Sequence, residues 1–372
     1  MDIPLPHSED IAVDRLAGCF NQVTNSYKFF WFLSLLDHVK MKRQRLIPIP
    51  ELLAQMVALV WYPSSYYRLY FGKQDQLRNV AERLQEATAL PVDAKTARVR
   101  SVALELVGQR TPVGRDLLQL GNYVPYRFLR PFVEESARGL LDRQVNNAVV
   151  SAAGERFVDS PNSVPYRFVG LNAIELSSPW VEYLTKHNEI LTGFCLWHLT
   201  KYLQGHNPNV ANIPAKLFPP GQRDLKVAKR YWQLVLRHKG SMRCIYSNQP
   251  MTAAAFSIDH FLPWRFVAHD LLWNLIPTPK EVNSSKSDSL PDTSLYFDSF
   301  ARMQYAGIQI IAEVKKPTLL EDYVLLLHLD DLGRLRAMPF DDFRRSLQEI
   351  VMPQMQIAKN MGFRANWQYP AG

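Results

Sequence analysis

Cysteine is scarce in this chain: three residues in 372, Cys19, Cys195 and Cys244, far apart and with no CxxC pair. That excludes a disulfide framework and a structural zinc centre built from four cysteines. Long apolar runs are missing too, since the most apolar stretch, Phe29 to Leu36, is far short of a membrane span. The N-terminus, Met1-Asp2-Ile3-Pro4-Leu5-Pro6, is acidic and proline-broken, unlike a signal peptide. A soluble cytoplasmic protein with no membrane partner is expected. Acidic residues are outnumbered, 35 against 43 Lys and Arg, which leaves a net charge of +8 and a pI near 9.3. Such a balance favours a polyanionic partner, because nucleic-acid affinity is largely phosphate neutralisation. Apolar residues make up 47% of the chain, enough to exclude disorder as its main state, and 372 residues suffice for two or three domains.

Periodicity predicts an α+β, mostly helical protein. Helical spacing runs from Asp10 to about Val39, restarts at Pro48-Ile49-Pro50, and continues through Gln74 to Glu86 and Ala94 to Leu106, so residues 1–110 read as a helical layer. Residues 111–220 read as mixed. Val124-Pro125-Tyr126-Arg127-Phe128 recurs as Val164-Pro165-Tyr166-Arg167-Phe168, which suggests two similar strand entries or, with Arg127 and Arg167 beside Tyr126 and Tyr166, a nucleic-acid contact. The intervening Asn146 to Val158 carries β-branched and turn residues and a Gly154 break. Ser178-Pro179-Trp180 opens a helix to about Leu203, and the proline-bearing segment 207–221 is the best linker. The aromatic stretches Trp61-Tyr62-Pro63 and Tyr66 to Phe71 suit a core. Helical patterns return in 301–372, clearest at Leu319 to Leu329 and Asp341 to Gln356.

Residues 221–300 carry the chemistry. Lys226, Lys229, Arg230 and Arg237 share one face of a helix whose other face holds Leu225, Ala228, Trp232, Val235 and Leu236. That pattern describes a solvated surface or a rail for a nucleic-acid backbone. An adjacent Asp259-His260 pair follows on an apolar run that suits a strand, where neighbouring side chains face opposite ways. Asn283 and Lys286 are three apart and share a helical face. Hydrolysing a phosphodiester needs a deprotonated water, a hard cation on phosphate oxygens and charge relief for the leaving oxygen. Asp259 offers an anionic ligand and Asn283 a neutral one, an oxygen set that suits Mg²⁺ or Mn²⁺. His260, of ordinary pKa roughly 6.5, suits a general base. Lys286, or the helix N-terminus, suits phosphate charge.

Asp259-His260, Asn274, Asn283 and Lys286 resemble the HNH, or ββα-metal, nuclease signature in the variant with Asn at its third position. The likeness to the HNH domain of RNA-guided CRISPR nucleases runs without a gap from Ile258 to Pro291, and none of the other nuclease domain of those enzymes is visible. The resemblance implies that Asp259 and Asn283 bind metal, His260 activates water and Asn274 braces the loop that orients them. It also implies that Arg243-Cys244-Ile245-Tyr246 is the first hairpin strand and that His269-Asp270 lies in a variable loop. A small ββα-metal nuclease module with a large helical N-terminal region containing some strands is the fold expected.

The function expected is a metal-dependent endonuclease that hydrolyses nucleic-acid phosphodiesters, DNA first, in bacterial defence against foreign DNA. The alternative is a nucleic-acid-binding nuclease subunit of a larger guided or sensor-triggered complex, inactive without its protein partners. One centre cuts one strand, so duplex cleavage would need a homodimer, sequential nicks or a second nuclease, and the sequence does not choose.

Overall fold

The computed structural model of the chain describes residues 4–21, 23–42, 44–221 and 223–370. It is α+β and mostly helical, 62% helix with three small antiparallel sheets. The chain divides into two compact units, Met1–Pro219 and Pro220–Gly372.

The first unit is built on α1 (Tyr27–Lys42), α2 (Ile49–Trp61), α3 (Gln76–Thr88) and α4 (Thr96–Gly108). The sequence of α1 is apolar on nearly every side along its middle, which lies in the core with Phe29, Phe30, Trp31 and Phe32 all buried, while Lys40, Met41 and Lys42 at its end are exposed. Pro50 in the first turn starts α2, and Asp75 caps α3 by accepting the Leu77 N–H at 3.0 Å. A sheet of order β1-β3-β2 joins β1 (Leu46–Pro48), β2 (Tyr166–Val169) and β3 (Ala173–Leu176), with Gly170 at a φ of +61° in the β2–β3 turn. Trp61, Tyr62, Tyr66, Tyr67 and Phe71 are buried, as core aromatics should be.

Several sequence expectations are corrected in this unit. The two Val-Pro-Tyr-Arg-Phe copies take different structures: Val124–Leu129 is a helical turn and Tyr166–Val169 is β2. They pack on each other, the Tyr166 hydroxyl donating to the Pro125 carbonyl at 2.6 Å and Tyr126 stacking on Phe168 with ring centres 4.5 Å apart. The second copy has β3 beside it to complete a ladder and the first does not, so tertiary context overrides identical local propensity. Arg167 is paired with Glu175 at 2.7 Å and lies over the Phe157 ring. Asn146 to Val158 lies within one helix, α5 (Asp142–Asp159), which runs straight through Gly154. The helix expected from Ser178 is two, α6 (Ser178–Lys186) and α7 (Asn188–His206), broken at His187. The segment 207–221 is not a free linker, because Ile213, Lys216 and Leu217 are buried. The unit boundary, between Pro219 and Pro220, falls at its end.

The second unit contains α8 (Lys226–Lys239), a hairpin of β4 (Met242–Arg243) and β5 (Pro250–Met251), a second pair β6 (Ser257–His260) and β7 (Leu275–Thr278), then α9 (Lys280–Lys286), α10 (Thr293–Glu313) and α11 (Phe340–Asn360). Trp232, Phe261, Leu275, Ile276, Phe300, Ile311 and Val351 form its core, with Phe261 stacked on Phe300 at 4.0 Å. Asp292 caps α10. A Cβ at Gly307 would stand 2.6 Å from the Tyr231 hydroxyl, so a side chain there would have to displace that buried ring of α8. Two strands and a short helix bury little surface alone, and α8, α10 and α11 supply the rest. No helix among the described residues is long and apolar enough to cross a membrane.

Candidate active site

The ββα unit of the second domain is β6, β7 and α9. β6 runs antiparallel to β7 with Asp259 opposite Ile276 and His260 opposite Leu275. Pro279 then turns the chain directly into α9. The first hairpin strand was expected at Arg243–Tyr246. Pairing covers only Met242–Arg243, against Pro250–Met251, and Cys244 to Asn248 forms the turn, closed by Asn248 at a φ of +58°. That turn delivers Tyr246 to the site.

Asp259 is 2% exposed and both its oxygens are engaged. Oδ2 accepts from the Tyr246 hydroxyl at 3.0 Å and Oδ1 from Lys286 Nζ at 3.1 Å. Burial, and then the neighbouring Asp259 carboxylate, push the Tyr246 phenol well above its usual range, which keeps it a donor. Lys286 has zero exposure and also donates to the His260 carbonyl at 2.5 Å. A buried ammonium needs such a charge partner and full hydrogen bonding. Lys286, expected to meet phosphate charge, lies inward here as the counter-ion of Asp259.

His260 is 6% exposed, and its Nε2 lies 2.8 Å from Asp270 Oδ1. Burial works to raise the Asp270 carboxyl, but the hydrogen bond and charge of His260, with Arg223 and His269 nearby, hold it below the usual carboxylate range. A carboxylate at Nε2 places the hydrogen of the neutral ring there and leaves Nδ1 as the acceptor. Asp270, expected in a variable loop outside the working residues, is thus the partner of the candidate base. The sequence held one signal for it, a second carboxylate ten residues after the histidine, and nothing to say the loop would fold back.

Asn274 has zero exposure and closes the loop between β6 and β7. Its Oδ1 accepts the Leu262 N–H at 2.8 Å and its Nδ2 donates to the Leu262 carbonyl at 2.9 Å. Gln304 of α10, unmarked in the sequence, donates to the carbonyls of Leu272, Trp273 and Leu275 and accepts from the Tyr323 hydroxyl at 2.6 Å. Trp232 of α8 donates to the Leu275 carbonyl at 3.0 Å. The loop carrying Asp270 and Asn274 is thereby fixed from two helices.

Asn283 is partly exposed on α9. Its Nδ2 donates to Ser257 Oγ at 3.2 Å and to the Ile258 carbonyl at 2.9 Å, which uses both amide hydrogens and leaves Oδ1 as a bare acceptor. A carboxylate and a carboxamide oxygen are donor types that suit a hard cation keeping several waters, as Mg²⁺ does, and an ion on Asp259 would share its oxygens with the Tyr246 hydroxyl and the Lys286 ammonium. Among the described residues no three His, Cys, Asp or Glu side chains gather to hold a metal by themselves. On α8, Lys226, Lys229, Arg230 and Arg237 are exposed while Ala228, Trp232, Val235 and Leu236 are buried, so the basic face is free of the core.

Residues 244–292 match a protein-family model described as HNH endonuclease. That span starts at Cys244 and takes in β5, β6, β7 and α9, and with them Tyr246, Asp259, His260, Asp270, Asn274, Asn283 and Lys286. No curated protein and no solved structure matches the chain. The second unit holds an HNH endonuclease domain, which points to nuclease activity on nucleic acid.

Proposed function

We propose that the chain is a metal-dependent HNH endonuclease that hydrolyses DNA, with His260 as general base. The observation that carries this reading is the 2.8 Å contact from Asp270 to His260 Nε2, inside the segment that matches the HNH family. With that nitrogen engaged, Nδ1 takes the proton of the attacking water, and Asp270 both orients the ring and stabilises the imidazolium that forms. Asn274 keeps the Asp270 loop closed. Asp259 and Asn283 would hold Mg²⁺ or Mn²⁺, and a bound ion would neutralise phosphate charge and that of the leaving oxygen. Lys226, Lys229, Arg230 and Arg237 would carry the nucleic-acid backbone. The Asn at the third position of the signature, and the likeness to the HNH domain of RNA-guided CRISPR nucleases, concern this segment alone. A role in defence against foreign DNA belongs to the same proposal and rests on resemblance to HNH-domain nucleases alone.

A second reading is favoured by burial. Asp259 and His260 are 2% and 6% exposed, and the Lys286 ammonium sits on Asp259. A centre so covered suits a subunit that is silent until a partner or trigger opens it.

Cleavage of supercoiled plasmid by the purified chain with Mg²⁺ or Mn²⁺, beside His260→Ala, tests both. Metal-dependent nicking or linearisation lost in the variant supports the autonomous enzyme. Equal cleavage by both proteins sinks the assignment of the base, and silence of both favours the subunit.

A further inference from the structure

The first unit contains a cavity of about 490 Å³ whose walls come from the start of α1, the start of α3 and the turn Tyr123–Arg130. Three cations line it, Lys28, Arg127 and Arg130, and among the described residues no Asp or Glu does. We propose that this cavity binds a phosphate-bearing small molecule of the nucleotide class.

The argument is one of missing charge. Lys28 and Arg130 form no ion pair among the described residues. The adjoining cavity, of about 550 Å³, shares these two residues and is lined also by Asp14 and Glu134, and its Arg15 and Arg138 are paired with Glu134. Asp75, buried at the start of α3, is spent on the backbone N–H groups of Ser26 and Leu77. Burial depresses the Lys28 ammonium, Cys19 works against that, and the nearby Arg130 and Arg127 depress it further, so an anion beside Lys28 would favour its charged form. Folding collects like charges at a partly buried position only at a cost, and a phosphate group, with its several acceptor oxygens, would offset it.

The rest of the lining suits a nucleoside. The Tyr27 hydroxyl accepts the Gln76 N–H at 2.7 Å, which leaves its own hydrogen to donate. Tyr123, 55% exposed, also lines the cavity and offers an aromatic ring for a base to stack on. The Gln74 carboxamide lines the cavity and can meet a base edge. The volume lies in the range of about 300 to 1,000 Å³ typical of small-ligand sites, and walls from three segments favour a compact ligand over a running polymer. The proposal does not depend on the nuclease reading, because every residue in it belongs to the first unit.

Isothermal titration of the full chain with ATP, AMP, pyrophosphate and a short single-stranded oligonucleotide tests it. ATP or AMP is expected to bind at one site per chain, more tightly than pyrophosphate, and about tenfold more weakly or worse in Arg130→Glu and in Lys28→Met. Arg130 is exposed, so its variant remains a valid test if Lys28→Met fails to fold. No binding of either nucleotide at millimolar concentration, or equal binding in Arg130→Glu, overturns the proposal. Pyrophosphate binding as tightly as ATP overturns the nucleotide assignment, and binding of the oligonucleotide alone shows a polymer surface instead.

Discussion

At the scale of single residues, the candidate base depends on one side chain. If Asp270 holds the His260 tautomer, Asp270→Ala should lower the cleavage rate by about 10²-fold, within the range of general-base contributions, and leave nucleic-acid binding unchanged. Single-turnover nicking beside a mobility-shift titration checks this, and Asp270→Glu should recover part of the rate. Unchanged nicking in Asp270→Ala would return the residue to loop packing. A separate prediction concerns Lys216, which is fully buried and bonded to the Ala211 carbonyl at 2.5 Å. Burial lowers its ammonium from 10.5 to about 8. Between those values the folded lysine is neutral while the unfolded one is charged, so the unfolded state binds more protons and stability rises with pH. The gain across pH 8 to 10.5 should be of order 3 kcal/mol at most. Thermal unfolding at pH 7 and pH 10 should show it in the natural chain and not in Lys216→Met.

Among elements, the two Val-Pro-Tyr-Arg-Phe copies mark the limit of local reading. Their shared sequence does not settle helix or strand, because the ladder that makes one of them β2 is supplied by β3. The same limit explains α5, where Val145, Val149 and Ala153 are buried at helical spacing although Gly154 and the valines read as strand and turn. Gly154 is unremarkable in space, since a Cβ there would meet nothing within 4 Å. Gly154→Ala should therefore stabilise the first unit by about 0.5 to 1 kcal/mol through the loss of unfolded-state freedom, readable as a higher melting temperature. A lower one would mean that the helix is distorted there. In α8 sequence and structure agree, because one helix with polar and apolar faces carries its own instructions: Trp232, Val235 and Leu236 face inward and the cations outward.

For the whole molecule, the net charge of +8 gains meaning only through its placement. If the exposed face of α8 meets a nucleic-acid backbone, Lys226→Glu, Lys229→Glu and Arg230→Glu together should weaken binding at all sequences. The slope of log affinity against log salt should fall by about one per cation lost. An unchanged slope in a filter-binding series would leave this face as solvated surface. The cations of the first unit behave differently. Lys28 and the pair Arg127 and Arg130 are about a hundred positions apart in the chain, and only folding brings them to one cavity.

The sequence alone determined the features whose information is local: scarce cysteine, the mostly helical class, the amphipathic α8, and the HNH segment, whose signature residues lie within about thirty positions. Closely spaced residues can be read because a strand, a loop and one helix turn fix their mutual placement. The tertiary structure decided what depends on neighbours distant in the chain or on a loop folding back. It turned Lys286 inward against Asp259, set Asp270 against His260, brought Tyr246 to Asp259 and fixed the loop through Gln304. Each of these pairs polar groups that are buried or, for Asp270, partly buried, and burial is settled only when the whole core closes.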